Sequence, residues 1–408
     1  MMSDFDCIVI GGGASGLVSA IEAGRNGERV LILERMDRAG KKILASGNGR
    51  CNLMNLNDLV YYGDSEFAHR VLGKDYIDTL TDFWESLGLK IRYDYVGRGY
   101  PCTFQSSSVL NVLQDELTKK KIPILVNQEV ISLQRQPSGY YVYTSEKCYF
   151  ASRVIVATGG AAQPKLGGNN FFDFLLVPFG HTIIPITPSL VPLKSDLKSV
   201  SGLSGIRARG NVSLIVDDLI VHQESGEILF TDSGLSGICI MQCARFVIPG
   251  HTVCQINFVP DLFDSCDDAF SYLINQRKRL PFASPVSLLS GLCMPKLAFA
   301  ICKQSGLVMR GERNVSLNDT QLRRISEILF SYRVRINETL DFNSAQIMTG
   351  GIDCKDINPH TMESRLSSGL FVTGEALNVD GDCGGFNLMF AFMSGIRAGK
   401  AKGENTVC

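Results

Sequence analysis

Residues 4–34 constrain the fold of this chain more than any other stretch. They read as a short apolar strand, a glycine-rich turn, a helix from Ala14 and a second strand. Gly11, Gly13 and Gly16 give the turn the pattern G-x-G-x-x-G. This pattern allows a tight turn, lets backbone N–H groups approach a pyrophosphate and brings the helix close to the strand. The N-terminus of the helix then directs its positive end at the phosphates.

An acidic side chain ends the second predicted strand. Glu34 follows the apolar residues 30–33, and a carboxylate there accepts hydrogen bonds from the hydroxyls of an adenosine ribose. Strand, glycines, helix and acid together predict a bound dinucleotide rather than a tight turn without a ligand. The residues that we predict to bind this end of the cofactor are Gly11, Gly13, Ala14, Ser15, Gly16, Glu34 and Arg35.

Composition disfavours several other classes of protein. The formal net charge is −1 and the pI is about 6.5, so no overall basic character favours a nucleic-acid partner. The 13 cysteines are scattered and include no Cys-x-x-Cys, which disfavours disulfides, a zinc site and a redox dithiol. We therefore predict no metal. The N-terminus has no signal-peptide pattern and no apolar stretch fits a membrane span, which predicts a cytoplasmic protein without a membrane partner.

The strands after residue 121 identify the type of dinucleotide. Three short antiparallel strands are predicted between residues 129 and 150, followed by a buried strand that ends in the Ala-Thr-Gly-Gly of residues 157–160. This order is typical of glutathione-reductase-type FAD-binding domains, whereas NAD-only Rossmann domains lack the antiparallel meander. We predict FAD as the cofactor, with the Val130 backbone near the adenine. The residues predicted to close over the pyrophosphate side are Thr158, Gly159 and Gly160.

Two further glycine-rich segments are predicted to surround the flavin. The closing segment has a strand that runs into Gly-Glu and then a glycine pair that opens a helix, whose N-terminus we place at the flavin N1/O2 edge. Close helix packing without a flavin is the alternative. The loop 40–52 is predicted to lie against the isoalloxazine, with a surface turn as the alternative. The predicted contacts are Lys42, Ser46, Gly47, Gly49, Arg50, Cys51, Asn52, Gly374, Glu375, Asp380, Gly384, Gly385, Asn387 and Leu388.

Candidate catalytic residues are few. Cys51 is a candidate redox thiol, although we favour a buried thiol of suitable size. Arg50 is suited to a substrate carboxylate or to reduced flavin, and equally to a structural ion pair. Tyr95, Arg98 and Tyr100 either line a substrate pocket or form a surface loop, and we favour the surface loop. The histidines fall outside the flavin segments, so the acid or base of the reaction is unassigned.

Changes in the predicted secondary structure along the chain indicate three domains. Residues 1–190 and 343–408 form a discontinuous FAD-binding domain, 191–265 a β-rich insert and 266–342 a helical insert. The fold class is α/β, a glutathione-reductase-type Rossmann-like domain that carries both inserts. No second G-x-G-x-x-G follows a strand, so any NAD(P)H would bind over the flavin as a transient co-substrate.

Four blocks of sequence carry a family resemblance. They are residues 9–17, the loop 40–52, residues 230–237, and the closing blocks 349–352, 361–365 and 374–399. On these residues the chain resembles the BaiN-like family of FAD-binding proteins, also called the aminoacetone oxidase family. It departs from the usual family residues at Asn48, Asp232, Ile238 and Asn378 and in the run 166–170. The resemblance implies a two-domain FAD-binding core with an inserted β-rich and an inserted helical domain.

The resemblance also implies the activity. The first expectation is NAD(P)H-dependent reduction of an activated C=C bond in a small organic substrate by hydride transfer at flavin N5. The second is an amine oxidase that produces hydrogen peroxide. A flavin-binding redox sensor without turnover and an RNA-modifying flavoprotein are the remaining alternatives, and the near-neutral charge disfavours the last. The oligomeric state is open.

Overall fold

The computed structural model describes residues 4–307 and 317–401. The chain divides into two compact units. Unit 1 comprises Met1–Thr187 and Gln346–Cys408, and unit 2 comprises Pro188–Ala345. Unit 1 therefore contains both ends of the chain, and unit 2 is one continuous segment between them.

The described residues form both strands and α-helices, which are numbered in chain order. The strands are β1 (Phe5–Ile10), β2 (Val30–Leu33), β3 (Met54–Asn55), β4 (Tyr61–Gly63), β5 (Ile91–Tyr93), β6 (Arg98–Pro101), β7 (Ile124–Leu125), β8 (Val130–Gln136), β9 (Gly139–Thr144), β10 (Cys148–Val156), β11 (Ile183–Ser189), β12 (Leu193–Ser195), β13 (Arg207–Val216), β14 (Leu219–Phe230), β15 (Gly234–Ser236), β16 (Thr252–Asn257), β17 (Tyr332–Thr339), β18 (Ile347–Ile352), β19 (Leu370–Val372) and β20 (Val379–Gly381). The α-helices are α1 (Ala14–Arg25), α2 (Lys41–Ala45), α3 (Ser65–Leu72), α4 (Tyr76–Ser86), α5 (Ser106–Lys119), α6 (Phe172–Leu176), α7 (Leu197–Val200), α8 (Ile238–Gln242), α9 (Cys266–Arg279), α10 (Pro285–Leu288), α11 (Pro295–Gln304), α12 (Asp319–Phe330) and α13 (Phe386–Lys400). Short 3₁₀ turns cover Ser46–Gly49, Pro164–Leu166, Val177–Phe179, Cys243–Phe246, Cys354–Asp356 and Gly374–Ala376.

The main sheet of unit 1 has a parallel half and an antiparallel half. The parallel half has the order β7-β2-β1-β10-β19, with Ile8 aligned to Leu31 on one side and to Val154 on the other. Strands β2 and β19, residues 7–10 of β1 and residues 153–156 of β10 are buried, as expected for strands covered on both faces, whereas the edge strand β7 is partly exposed. The antiparallel half, β8-β9-β10, is the meander predicted from the sequence. The predicted α/β class with its meander is confirmed.

Glycines let the first and last helices lie against each other. A Cβ on Gly395 of α13 would lie 2.6 Å from the Ser15 carbonyl oxygen, and one on Gly399 would lie 2.5 Å from that of Ser19. Only glycine permits so close an approach of the two helix backbones. The C-terminal helix α13 thereby runs parallel to α1. Because Gly395 lies beside Ser15, the N-terminus of α13 lies roughly 12 Å beyond that of α1.

Smaller sheets complete unit 1. Strands β3, β6 and β5 form a three-stranded antiparallel sheet in that order, and β20 pairs with β4. The last residues before unit 2 are part of β11, which pairs with β18, the first strand after it. The two crossings of the chain into unit 2 therefore start from neighbouring strands.

Unit 2 contains a closed antiparallel barrel. Its strand order is β12-β15-β14-β13-β16-β17, closed by the pairing of β12 with β17. Val212, Leu214 and Val216 alternate inwards along β13, as in a strand with one buried face. Helices α9 to α12 come between β16 and β17 in the chain. No helix in the described part of the chain is long and apolar enough to cross a membrane.

One predicted boundary is wrong. We assigned residues 266–342 to a helical insert, but Tyr332–Thr339 is a strand that pairs with both β16 and β12. The reason is visible in its burial, since Tyr332, Val334 and Ile336 alternate inwards with period two. The division of unit 2 into a β-rich and a helical domain stays a prediction.

Candidate functional site

In the glycine turn, Gly13 has open space where a side chain would lie, and Gly16 has none. A Cβ on Gly16 would lie 2.0 Å from the Gly11 carbonyl oxygen, so this position holds α1 against the turn. No atom lies within 4 Å of a Cβ built on Gly13, which is the N-cap of α1. No side chain caps the first turn of α1, so its N–H groups are available to an anion.

Glu34 shapes this turn from the end of β2. Its Oε2 accepts a hydrogen bond from the Gly12 N–H at 2.7 Å, and its Oε1 accepts one from the Met36 N–H at 2.7 Å. The side chain is buried beside the turn. A carboxylate has about four acceptor positions, so two remain for hydroxyl donors. Arg35 follows, and its guanidinium donates to the Gly167 carbonyl at 3.3 Å.

The Ala-Thr-Gly-Gly segment after β10 contributes a polar atom without a partner. The hydroxyl of Thr158 is buried, and within the described residues no group hydrogen-bonds to it. Gly159 has a φ of 72°, and no atom lies within 4 Å of a Cβ built on it. Gly160, in contrast, is close to Glu375, 2.9 Å from a built Cβ. A buried hydroxyl beside open space is an unfilled hydrogen-bonding position.

Glu375 joins the early and late segments of unit 1. It forms an ion pair with Lys42 at 2.8 Å and accepts a hydrogen bond from the Met348 N–H at 3.0 Å. Asp380, which is buried, accepts a hydrogen bond from the Thr349 hydroxyl at 2.5 Å. The structure therefore brings Lys42 and Glu375 together, as expected if both belong to one site.

Ser15 and Gly374 contact each other. A Cβ on Gly374 would lie 2.7 Å from the Ser15 Oγ, and the Thr373 hydroxyl donates to that Oγ at 3.1 Å. Gly374 has a φ of 71°, and its N–H donates to Ser394 in α13. These contacts set the close packing of α1 and α13 against the end of β19.

The glycine pair before α13 lies against the loop 46–52. A Cβ on Gly385 would lie 2.6 Å from the Asn52 Oδ1, a buried atom for which no described group is a hydrogen-bond donor. The Asn387 side chain accepts from the Gly381 N–H and donates to the Gly381 carbonyl, both at 2.8 Å. Side chains do not cap α13, so its N-terminus, like that of α1, is open to a ligand. Leu388 lies in its first turn.

The loop itself has an unusual backbone. Gly47, Asn48, Gly49 and Cys51 all have positive φ, and asparagine is one of the few non-glycine residues that adopt this conformation readily. The Ser46 hydroxyl donates to the Ile43 carbonyl at 2.6 Å. The N–H groups of Arg50 and Cys51 donate to the carbonyls of Gly47 and Ser46, both at 3.1 Å, so the loop holds this conformation by its own backbone hydrogen bonds.

The two catalytic candidates of this loop differ in environment. Cys51 is fully buried, and burial raises the pKa of its thiol to about 12, so it carries no charge near neutral pH. That is consistent with the buried thiol that we favoured and unsuited to a redox thiolate. Arg50 is exposed and forms no ion pair with any described residue, so the structural ion pair is not observed.

Arg98 and Tyr100 belong to the region around Gly384, a position that the sequence did not indicate. They are in strand β6 and not in a surface loop, so that preference was wrong for both, whereas Tyr95 is 96% exposed. Asn55 is the β-sheet partner of Arg98, and its Nδ2 donates to the Gly384 carbonyl at 2.8 Å. The alternation of Arg98 and Tyr100 with Gly99 and Pro101 is the only indication in the sequence that their side chains share one face, and four residues make it a weak one.

Val130 lies elsewhere in unit 1. It is buried at the start of β8, aligned with Thr144. The described residues contain no group of three or more histidine, cysteine or acidic side chains placed to hold a metal ion.

The predicted cofactor residues, apart from Val130, form two regions, one around the glycine turn and one around Gly384 and Gly385. Uncapped helix N-termini, open glycines and two unpartnered buried polar atoms together fit a long ligand with a phosphate-bearing end.

Comparisons with known proteins agree with this geometry. The family model described as the HI0933-like protein Rossmann domain matches residues 5–401. A 3-dehydro-bile acid delta(4,6)-reductase of Clostridium scindens is 34% identical over 97% of this chain and 98% of its own length. Ribosomal RNA dihydrouridine synthases of Escherichia coli and Haemophilus influenzae are 29% and 28% identical, over 96% and 95% of this chain and 96% of each relative.

A solved structure also covers most of the chain. The open conformation of a flavocytochrome c3 fumarate reductase is 15% identical, covers 97% of this chain and 77% of its own, and superposes with a TM-score of 0.49.

Proposed function

Because the chain belongs to the HI0933-like Rossmann family of FAD-dependent oxidoreductases, we propose that it reduces an activated C=C bond with NAD(P)H as electron donor. The family resemblance drawn from the four sequence blocks is confirmed. The observation that carries the proposal is the 34% identity, over nearly the whole of both chains, to a protein named as a delta(4,6)-reductase.

The residues around the two helix N-termini are suited to FAD. We assign the pyrophosphate to the open side of Gly13 and to the Thr158 hydroxyl, which lacks a partner in the described residues. Glu34 has acceptor positions left for the ribose hydroxyls. The flavin end is assigned to Asn52 and the N-terminus of α13, whose positive end stabilises charge on a reduced flavin. Bound there, FAD supplies hydride chemistry at its N5 atom.

The substrate class that we propose is a small molecule with an α,β-unsaturated carbonyl group. A 3-oxo steroid with double bonds at positions 4 and 6 has this group, and hydride addition to its far carbon is favoured because the carbonyl oxygen accepts the charge. A uracil ring has the same arrangement, with its C5=C6 bond conjugated to a carbonyl. The two relatives named as ribosomal RNA dihydrouridine synthases make uridine in ribosomal RNA the second candidate.

Anaerobic reduction and reoxidation test the proposal. We expect the purified protein to be yellow, NADH or NADPH to bleach it in the absence of oxygen, and a 4,6-dien-3-one steroid to restore the colour. Return of the colour with unmodified ribosomal RNA, and not with the steroid, would replace the substrate class. Bleaching by amines but not nicotinamides, with peroxide formed in air, would replace the reductase by an oxidase. A protein that neither carries nor takes up FAD would overturn the proposal.

A further inference from the structure

One face of the small sheet β3-β6-β5 is directed at the start of α13. Asn55 reaches the Gly384 carbonyl from this face, and Arg98 is its direct neighbour across the strand pair. Residues two apart in a strand point to the same side, so Tyr100 shares the face with Arg98. The opposite face contains Gly99, where a built Cβ would lie 3.0 to 3.2 Å from Tyr93, Ile91 and Met54. The polar face is therefore the one beside the proposed flavin end.

Arg98 is fixed in position and retains free donors. Its Nε donates to the Asp94 carboxylate at 2.9 Å, and the backbone N–H of Arg98 donates to the other oxygen of that carboxylate at 2.9 Å. Its two terminal nitrogens have no hydrogen-bond partner among the described residues. A guanidinium held by one edge presents its other N–H groups in a fixed orientation.

Tyr100 is half-buried next to Arg98. Its ring packs against Phe104, with ring centroids 5.7 Å apart. Burial raises the pKa of the Tyr100 hydroxyl above its ordinary value, an effect that Asp94 and Cys383 strengthen and Arg98 and Arg50 oppose. Arg92 lies directly across from it on β5. The hydroxyl is therefore protonated throughout the neutral range, as a proton donor must be.

We propose that Arg98 and Tyr100 are the substrate-facing residues of this site, Arg98 binding the carbonyl oxygen of an α,β-unsaturated carbonyl compound and Tyr100 protonating the carbon beside that carbonyl. The inference deepens the function proposed above and rests on it. It covers the steroid ketone and the uracil ring alike, because both contain the same conjugated group.

The proposed step adds one hydride and one proton. A C–H bond forms at the β carbon with the hydride that FAD supplies after its reduction by NAD(P)H. The electron pair of the C=C bond moves towards the carbonyl oxygen, where the Arg98 guanidinium stabilises the negative charge. The O–H bond of Tyr100 then breaks and its proton forms the C–H bond at the α carbon. The phenolate of Tyr100 regains a proton from water.

Hydrogen exchange provides a test that does not depend on hydride transfer. The same two residues should catalyse exchange of the α-hydrogens of a saturated 3-oxo steroid with solvent deuterium at alkaline pH, where part of Tyr100 is a phenolate and accepts the proton. The exchange is measured by NMR with the oxidised holoenzyme. We expect Tyr100→Phe to slow this exchange about 100-fold, in line with the usual contribution of a general acid or base. Tyr95→Phe, a change at an exposed tyrosine of the same segment, should leave it unchanged.

The redox half-reactions separate this inference from the function on which it rests. In Tyr100→Phe, NAD(P)H should bleach the flavin at the wild-type rate, while reoxidation by the dienone is about 100-fold slower. Wild-type reoxidation should fall as the pH rises through the raised pKa of Tyr100, and this fall should be absent in the variant. If the wild type reacts with the dienone and Tyr100→Phe matches Tyr95→Phe in both assays, the assignment of Tyr100 is wrong and the proposed function stands. If no conjugated carbonyl compound reoxidises the wild type, the proposed function itself fails.

Arg98 is tested by binding as well as by rate. Arg98→Met should raise the Kd of the dienone for the oxidised protein about tenfold, which corresponds to about 1.4 kcal/mol. Arg98→Lys should bind the dienone more tightly than Arg98→Met and less tightly than the wild type, because lysine restores the charge but lacks the planar guanidinium with its fixed N–H donors. Unchanged Kd and exchange rate in Arg98→Met, with the flavin spectrum of the wild type, would overturn its role.

Discussion

At the scale of single residues, Gly13 and Gly16 of the first turn are subject to different constraints. Gly16 has no room for a side chain because the Gly11 carbonyl oxygen lies where its Cβ would be. Gly13 has room within the protein and a backbone conformation, φ −86° and ψ −166°, that other residues adopt. We therefore expect the cofactor, and not the fold, to require glycine at Gly13.

Alanine substitutions separate the two constraints. We expect Gly13→Ala to leave the free energy of unfolding of the apoprotein nearly unchanged and to weaken FAD binding at least tenfold, about 1.4 kcal/mol. Gly16→Ala should lower the free energy of unfolding by about 1–3 kcal/mol, as overpacking does. Urea unfolding of the apoproteins and fluorescence titration with FAD measure both. Wild-type affinity in Gly13→Ala would contradict the placement of the pyrophosphate.

The sequence could predict those site residues that belong to one local motif, but not those that strand pairing brings together. Gly11, Gly13 and Glu34 belong to one local pattern with one known geometry, so their arrangement follows from spacing. Arg98 and Asn55 are neighbours only because β6 pairs with β3, and β6 is a strand of four residues with no strong pattern of its own. Proximity that arises from strand pairing between distant segments is not encoded in local spacing.

At the scale of elements, α13 is held at both ends. Its N-terminus follows the left-handed Gly384 and Gly385. At the other end, the guanidinium of Arg153 donates to the carbonyls of Ala398 and Gly399, at 2.8 and 3.2 Å. A cation at the carboxyl end of a helix satisfies its last carbonyl groups and opposes its dipole.

Removal of the Arg153 side chain tests how much this contact contributes. Arg153 is 4% exposed and also pairs with Glu28 at 2.7 Å, so Arg153→Ala removes the donor to the Glu28 carboxylate and to the Ala398 carbonyl. The Gly399 carbonyl keeps the Asn26 side chain as a donor, at 3.1 Å. We expect the free energy of unfolding to fall by about 3–5 kcal/mol, the usual cost of breaking a buried ion pair. The exposed pair Arg70–Glu66 provides the control, and Arg70→Ala should cost less than about 1 kcal/mol. Equal effects of the two variants, measured by urea unfolding, would contradict the proposed contribution.

At the scale of the whole molecule, the sequence indicated the order of the domains along the chain but not the closed barrel of unit 2. The return of nucleotide-domain character after residue 343 predicted a discontinuous domain, and unit 1 resumes at Gln346. The barrel could not be predicted in the same way, because helices α9 to α12 separate its last strand, Tyr332–Thr339, from β16. The pairing partners of such a distant strand depend on tertiary contacts. Its alternating pattern predicts a strand but does not identify the strands that it pairs with.

All residues that we assign to FAD lie in unit 1, which predicts that unit 1 binds the cofactor by itself. The segment 188–345 leaves unit 1 within the last residues of β11 and returns just before β18, and these strands pair with each other. A Gly/Ser linker of about ten residues, which reaches roughly 33 Å when extended, can therefore join Thr187 to Gln346.

The shortened chain should fold cooperatively and take up FAD with a Kd within about tenfold of the full-length value, a difference of about 1.4 kcal/mol. Its absorbance spectrum in the visible range, a FAD titration and urea unfolding monitored by circular dichroism measure these properties. Gly13→Ala should raise the Kd of the shortened chain for FAD by the same factor as in the full-length protein, at least tenfold, if the flavin occupies the same site. A shortened chain that unfolds cooperatively but stays colourless would mean that unit 2 contributes to the cofactor site. One that does not fold would show that the discontinuous domain depends on the segment inserted in it, because a domain must bury its own core to be stable alone.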